Sequence, residues 1–257
     1  NYSKPIIVEN ESSYIEFTEL RHPLIERINE NEIYIANDLD FSNFNYLLYG
    51  TNAVGKTSFI KSIGISIIMA QCGLYVPATT FKFSIFHSLF TRILGNDNLF
   101  KGLSTFAVEM IELRNILKLS NSKSIILGDE VCSGTESTSA LSIFTAAINY
   151  LTNKKCSFIF ATHFHEILKY KEIKQIQNLK SLHMSVKYNR EKDILIYDRK
   201  IQYGPGENMY GLEVCKSLNL PEDFLNIAHN IRKKYSDDKS IINSNSTKYN
   251  SNKLKGM

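Results

Sequence analysis

Three apolar runs of strand length punctuate the chain: Tyr46-Leu47-Leu48-Tyr49, Ser124-Ile125-Ile126-Leu127 and Ser157-Phe158-Ile159-Phe160-Ala161. Short runs with no polar alternation predict strands buried on both faces. Around them, apolar residues recur at helical spacing over Lys56 to Ala70, Thr105 to Leu119 and Ser137 to Leu151. Strands alternating with helices predict an α/β fold with a mostly parallel sheet flanked by helices. The segments Tyr14-Ile15-Glu16-Phe17, Ile33-Tyr34-Ile35, Ser181 to Tyr188 and Asp193 to Arg199 read as additional strands, set as antiparallel flanks. C-terminal helices complete the pattern, one after Gly211 and a second opened by Pro221 and running to about Lys234. No internal repeat is visible. The expected organisation is one domain over 1–234, with a helical extension over about 210–234, followed by a tail over 235–257.

Composition changes this picture little. At 257 residues, with 43% hydrophobic and 22% charged, the chain has material for a full core. No stretch approaches the roughly 18 consecutive apolar residues of a membrane helix, so no membrane partner is expected. The chain begins at Asn1 rather than Met and reads as a piece of a longer polypeptide. Cys72, Cys132, Cys156 and Cys215 are scattered, without a C-x-x-C pair, and read as free thiols in an intracellular, reducing compartment. His163, His165 and Glu166 lack the further ligands that a zinc site needs.

The net charge of +4 is local. Ile231 to Met257 holds seven Lys/Arg against two Asp/Glu, leaving the remainder near neutrality. The polar run from Ser240 to Thr247 makes this segment a flexible basic tail or linker, and composition alone gives no case for DNA binding.

Candidate chemistry begins where the first apolar run ends. Gly50-Thr51-Asn52-Ala53-Val54-Gly55-Lys56-Thr57 fits G-x-x-x-x-G-K-[ST] at every fixed position, between a predicted strand and a predicted helix. Its glycines allow backbone N–H groups to wrap phosphates, and the helix behind presents its positive end. Lys56 is expected at the β and γ phosphates of a nucleoside triphosphate, and the Thr57 hydroxyl on Mg2+. The loop as a whole, Gly50 to Ser58, is the expected nucleotide cradle.

About seventy residues on, the second apolar run ends in Gly128-Asp129-Glu130. A buried strand delivers this pair where open α/β sheets place ligands. Asp129 is expected to hold the metal, and Glu130 to orient or deprotonate the attacking water. The third run ends in Thr162-His163, and His163 is expected to sense the γ phosphate from the neighbouring strand end.

Taken in order, these motifs resemble the ATPase domain of the MutS family of DNA mismatch repair proteins, a branch of the ABC-type P-loop ATPases. The likeness covers about residues 20 to 230. It runs through Arg21-His22-Pro23, Tyr34-Ile35-Ala36-Asn37-Asp38-Leu39, the loop with its Asn52, and Ala70 to Ala78 ending in Val76-Pro77-Ala78. It continues through Thr91 to Leu99, Gly102-Leu103-Ser104-Thr105-Phe106-Ala107-Val108-Glu109-Met110, Ser133-Gly134-Thr135, Ala161 to Glu166, and Tyr210-Gly211-Leu212. The resemblance implies a homodimer, or a heterodimer with a related chain, in which Ser104 reaches in trans to the γ phosphate held by the other subunit. It also implies that Tyr34 stacks on adenine and, less directly, that Arg199 faces the base. Mismatched or damaged DNA would be met by regions outside this chain, and ATP binding and hydrolysis would drive clamping on that DNA.

Departures from the family's wording are Thr51 for Pro, Ala53-Val54 for Met-Gly, and Thr57-Ser58 for Ser-Thr. Together with the wording after Glu130, they look closest to divergent branches such as those of giant viruses and octocoral mitochondria. Phe17-Thr18-Glu19 matches the family's mismatch-reading F-x-E only by accident, since it lies inside the ATPase region. Two rivals stand beside this reading: another ABC-type engine of DNA maintenance, for which no L-S-G-G-Q-like signature precedes Ser124, and a MutS relative acting in recombination.

Overall fold

The computed structural model describes residues 2–28, 33–52, 54–93, 105–132, 134–189, 194–206 and 211–234. The three apolar runs form strands β4 (Asn45–Tyr49), β7 (Ser124–Asp129) and β8 (Ser157–Ala161), and every residue in them is buried. They lie side by side in a six-stranded sheet with β6 (Ser88–Arg92), β9 (Leu179–Asn189) and β10 (Ile194–Tyr203), in the order β10-β9-β4-β8-β7-β6. The pairings β6–β7, β7–β8, β8–β4 and β4–β9 are all parallel.

Strand periodicity sorts the core into two layers. Leu48, Ile125, Leu127, Ile159 and Ala161 face α2 (Lys56–Gln71), meeting Phe59, Ile60, Ile63 and Ile67. Leu47, Tyr49, Ile126, Phe158 and Phe160 face the other way, toward α3 (Thr105–Leu119) and α4 (Ser137–Asn153), meeting Leu113, Ile116, Phe144 and Ile148. Each of these large side chains contributes roughly 1.5–3 kcal/mol on burial. That outweighs the roughly 1 kcal/mol that Gly64 costs inside α2. The glycine is needed because a Cβ there would come within 2.9 Å of Leu127 Cδ1.

A second, four-stranded sheet orders β1 (Ile6–Ile7), β5 (Thr80–Phe83), β2 (Ile15–Leu20) and β3 (Asn37–Asp40) as β1-β5-β2-β3. Both β2 pairings are antiparallel, and Ile15, Phe17, Phe81 and Phe83 from this sheet join the same core cluster as α2. A short helix, α1 (Ile25–Ile28), follows β2.

Two sequence expectations need correction. Ile33-Tyr34-Ile35 is not a strand: Ile33 is 90% exposed, and β3 begins only at Asn37. β9 is not an antiparallel flank, because it extends the parallel sheet beside β4. The sequence pattern predicts none of β1, β3, β5 and β6.

By contact density the described chain forms two units. The described residues of 1–186 and 197–206 hold the four-stranded sheet and most of the six-stranded one, while those of 187–196 and 211–234 form the other. The second unit contains α5 (Gly211–Ser217) and α6 over 222–234, with Leu225 buried and Arg232 Nη2 3.2 Å from Glu213 Oε1. The proposed tail over 235–257 lies outside the described residues. All four cysteines are free, and no helix among the described residues is long and apolar enough to cross a membrane.

Candidate nucleotide-binding site

Register brings the polar strand ends together. Leu48 of β4 pairs with Ala161 of β8, and Ala161 with Asp129 of β7, so these three strands stop on one row. Gly50, Glu130 and Thr162-His163 therefore leave the sheet at one edge, the expected ligand side.

The loop between β4 and α2 is shaped by two glycines. Gly50 has φ +148° and Gly55 has φ +112°, conformations that cost side-chain-bearing residues dearly. A Cβ on Gly50 would also lie 3.0 Å from Val54 Cγ1. Val54 itself is fully buried and anchors the loop to the core. Gly55 caps α2 without any side-chain hydrogen bond, and the first turn of α2 carries no acidic residue. The positive end of the helix is thus left for an anion.

Lys56 is 5% exposed, and its Nζ donates to the carbonyls of Gly50 (2.7 Å) and Thr51 (3.0 Å). Burial pushes the Lys56 pKa below the ordinary lysine value, while Asp129 and Glu130 oppose that shift. The Thr57 hydroxyl donates to Asp129 Oδ2. Asp129 is buried, and its Oδ1 has no hydrogen-bond partner among the described residues. A buried carboxylate oxygen left without a partner is costly.

Glu130 turns out of β7 at φ +52°, with its N–H donating to Ala161 O at 2.9 Å. Its Oε1 lies 3.0 Å from His163 Nε2, so the sequence-predicted acid and histidine form one pair. A cleft of about 360 Å³ is lined by Asn52, Gly55, Lys56, Thr57, Ser58, Asp129 and Glu130. It is open, polar and large enough for a triphosphate chain.

A smaller hollow of about 50 Å³ is lined by Ile25, Tyr34, Met184 and Arg199, among others, and shares Gly55 and Ser58 with the cleft. Burial pushes the Tyr34 phenol up to about 12. Tyr34 and Arg199 both line this hollow, beside the phosphate loop. The hollow is also lined by Asn37, to which the sequence alone gives no task. Asn37 is 2% exposed; it donates to Arg199 O at 3.1 Å and accepts from Ile201 N at 2.8 Å. The signal was an asparagine on the inward face of a strand, a placement that requires partners.

His165 is not part of the cleft. Its ring packs 4.3 Å from that of Tyr49, and burial lowers its pKa. No group of three His, Cys, Asp or Glu residues arranged for a metal occurs among the described residues. Ala53 and Ser104 lie outside the described residues.

A family model for MutS domain V matches residues 46–236. The chain belongs to the MutS family. A mutS homolog of Acanthamoeba polyphaga mimivirus, named for DNA mismatch repair, is 36% identical over 93% of this chain and 25% of its own length. The mitochondrial DNA mismatch repair mutS homolog of Sarcophyton glaucum is 38% identical over 91% of this chain and 24% of its own. The DNA mismatch repair protein MutS of Clostridium beijerinckii is 38% identical over 90% and 25%. The chain thus spans about a quarter of the length of the MutS relatives it matches. Its mixed α/β architecture is that of MutS domain V, the P-loop ATPase fold.

Proposed function

We propose that this chain binds and hydrolyses ATP as the ATPase and dimerisation domain of a longer MutS-type mismatch repair protein. The observation that carries the reading is the single cleft where Lys56, Thr57, Asp129 and Glu130 meet. ATP would enter with its phosphates against the loop N–H groups and the N-terminus of α2. Lys56 would exchange its two carbonyl contacts for the β and γ oxygens, contributing a charge that is already desolvated. Tyr34, with Arg199 opposite, would take the adenine.

The residues fit Mg2+. A threonine hydroxyl already bonded to a carboxylate, with a second carboxylate oxygen unpartnered, is the hard-oxygen donor set this ion takes in nucleotide sites. Thr57 and Asp129 would hold it, and when bound it neutralises charge on the phosphates. Glu130 would orient the attacking water and accept its proton, with the His163 imidazole fixing the carboxylate and reaching toward the γ phosphate.

In the longer protein, ATP binding would join two such domains, as a homodimer or with a related chain, and hydrolysis would reset a clamp on DNA. Ser104, supplied by the partner, would complete each site. The relatives' names support the repair setting. Glu130→Gln tests the assignment in the full-length protein: ATP binding should persist while hydrolysis slows by about a hundredfold or more. Hydrolysis at the normal rate would remove Glu130 from the reaction and leave His163 as the first candidate.

A further inference from the structure

Helix α3 carries one carboxylate into the interior. Glu109 is 1% exposed, and its Oε1 accepts the Cys132 backbone N–H at 2.5 Å. Arg92, the last residue of β6, places Nη2 3.9 Å from the same oxygen and Nε 3.0 Å from Glu112. Gly134 lies against the same stretch of α3, where a Cβ would sit 3.3 Å from Phe106 Cα and 3.4 Å from Glu109 Oε2. The backbone that follows Asp129-Glu130 is therefore seated on α3, with Glu109 as its polar attachment.

That backbone needs holding. Glu130 and Cys132 adopt φ +52° and +67°, left-handed conformations for residues with side chains. Each costs about 1–3 kcal/mol and persists only where the surroundings impose it. One attachment precedes the turn, the Glu130 N–H on Ala161 O of β8. The other is the Cys132 N–H on Glu109, two residues later. Glu130 stands between them, so the direction of its carboxylate is set by both. A buried carboxylate is an expensive way to fill space on a helix otherwise facing an apolar layer. Here it is bonded to backbone and faced by an arginine, which fits a positioning task.

We propose that Glu109 is a positioning residue for ATP hydrolysis: by holding the Cys132 amide it fixes the 130–132 turn and aims Glu130 into the cleft. The inference rests on Glu130 being the water-activating group, and adds a residue that lines neither the cleft nor the base hollow.

The test compares wild type, Glu109→Ala, Glu109→Asp and Glu109→Gln in the full-length protein, with hydrogen exchange over residues 129–136 and steady-state ATPase read together. Glu109→Ala, which has no acceptor, and Glu109→Asp, which is one methylene too short, should speed exchange of the turn. They should lower kcat by about ten- to a hundredfold per folded molecule, the scale of a misplaced reacting group, while KM and ATP binding stay within a fewfold. Glu109→Gln keeps an acceptor oxygen and should restore both the protection and most of kcat. Unchanged exchange in a folded Ala or Asp variant would overturn the hold, and fast exchange with normal kcat would overturn its catalytic consequence. Losses that track only the folded fraction would reduce Glu109 to a stability residue. A wild type that binds but never hydrolyses ATP would instead count against the ATPase reading, while the exchange arm still decides the hold.

Discussion

Gly128→Ala is the sharpest structural perturbation available, because it adds one methyl group directly before the acidic pair. That methyl would lie 2.3 Å from Phe160 Cδ1, 2.6 Å from Cε1 and 2.9 Å from Val131 Cγ2. Ordinary contact begins near 3.4 Å, so the ring must retreat by about 1 Å. It has nowhere to go: Phe160 is 2% exposed and its centroid lies 5.5 Å from that of Phe144 and 5.1 Å from that of Phe158. Overpacking in a rigid core costs about 1–3 kcal/mol, occasionally more, and a clash with two ring atoms and a valine methyl places this case at about 3 kcal/mol. Urea unfolding should show a midpoint lowered by about 1 M or more at an unchanged slope. Phe160→Leu removes the clashing ring edge, so the double variant should be less destabilised than the two single changes added together. A Gly128→Ala protein within about 0.5 kcal/mol of wild type, the range of harmless surface changes, would refute the reasoning. Strict additivity in the double variant would also refute it.

Two further outcomes follow from buried groups. Burial lowers the pKa of His22, whose Nδ1 accepts the Leu24 and Ile25 N–H groups at 3.3 Å, so the fold prefers the neutral ring. Its contribution should be complete above about pH 6.5 and lost as pH falls below that value; thermal unfolding at pH 7.5 and 5.5 should show a smaller acid loss in His22→Asn, and an identical loss would contradict this. Burial raises the Cys132 thiol to about 12, whereas Cys72 is exposed; iodoacetamide should therefore alkylate Cys72 in the native protein and reach Cys132 only on unfolding, with the reverse order contradicting the packing.

Strands β4, β7 and β8 were legible because burial on both faces leaves an uninterrupted apolar signature, and α2 to α4 because their apolar faces are long. The phosphate loop and the Asp129-Glu130 pair were legible as spacing. What sequence could not show is contact across the chain. β6 reads Ser88-Leu89-Phe90-Thr91-Arg92, a half-buried edge strand held by pairing with β7 rather than by its own pattern. β5, Thr80-Phe81-Lys82-Phe83, does alternate, and its period of two is matched by its burial, but four residues are too short a run to stand out. β9 alternates like a solvent-facing strand, yet its partner is the parallel β4. Asn37 and Glu109 act on backbone far away in sequence, at Ile201 and Cys132, and a lone polar letter does not name its partner. The pairing of Glu130 with His163 depends on β7 and β8 ending on one row.

Titration of the full-length protein with a fluorescent ATP analogue and Mg2+, wild type against Lys56→Ala, tests the central claim most directly. Lys56 supplies the cleft's buried cation, so saturable binding by wild type and loss of binding in a folded Lys56→Ala variant is the predicted result. Equal affinity in the two proteins would place the nucleotide elsewhere and contradict the account.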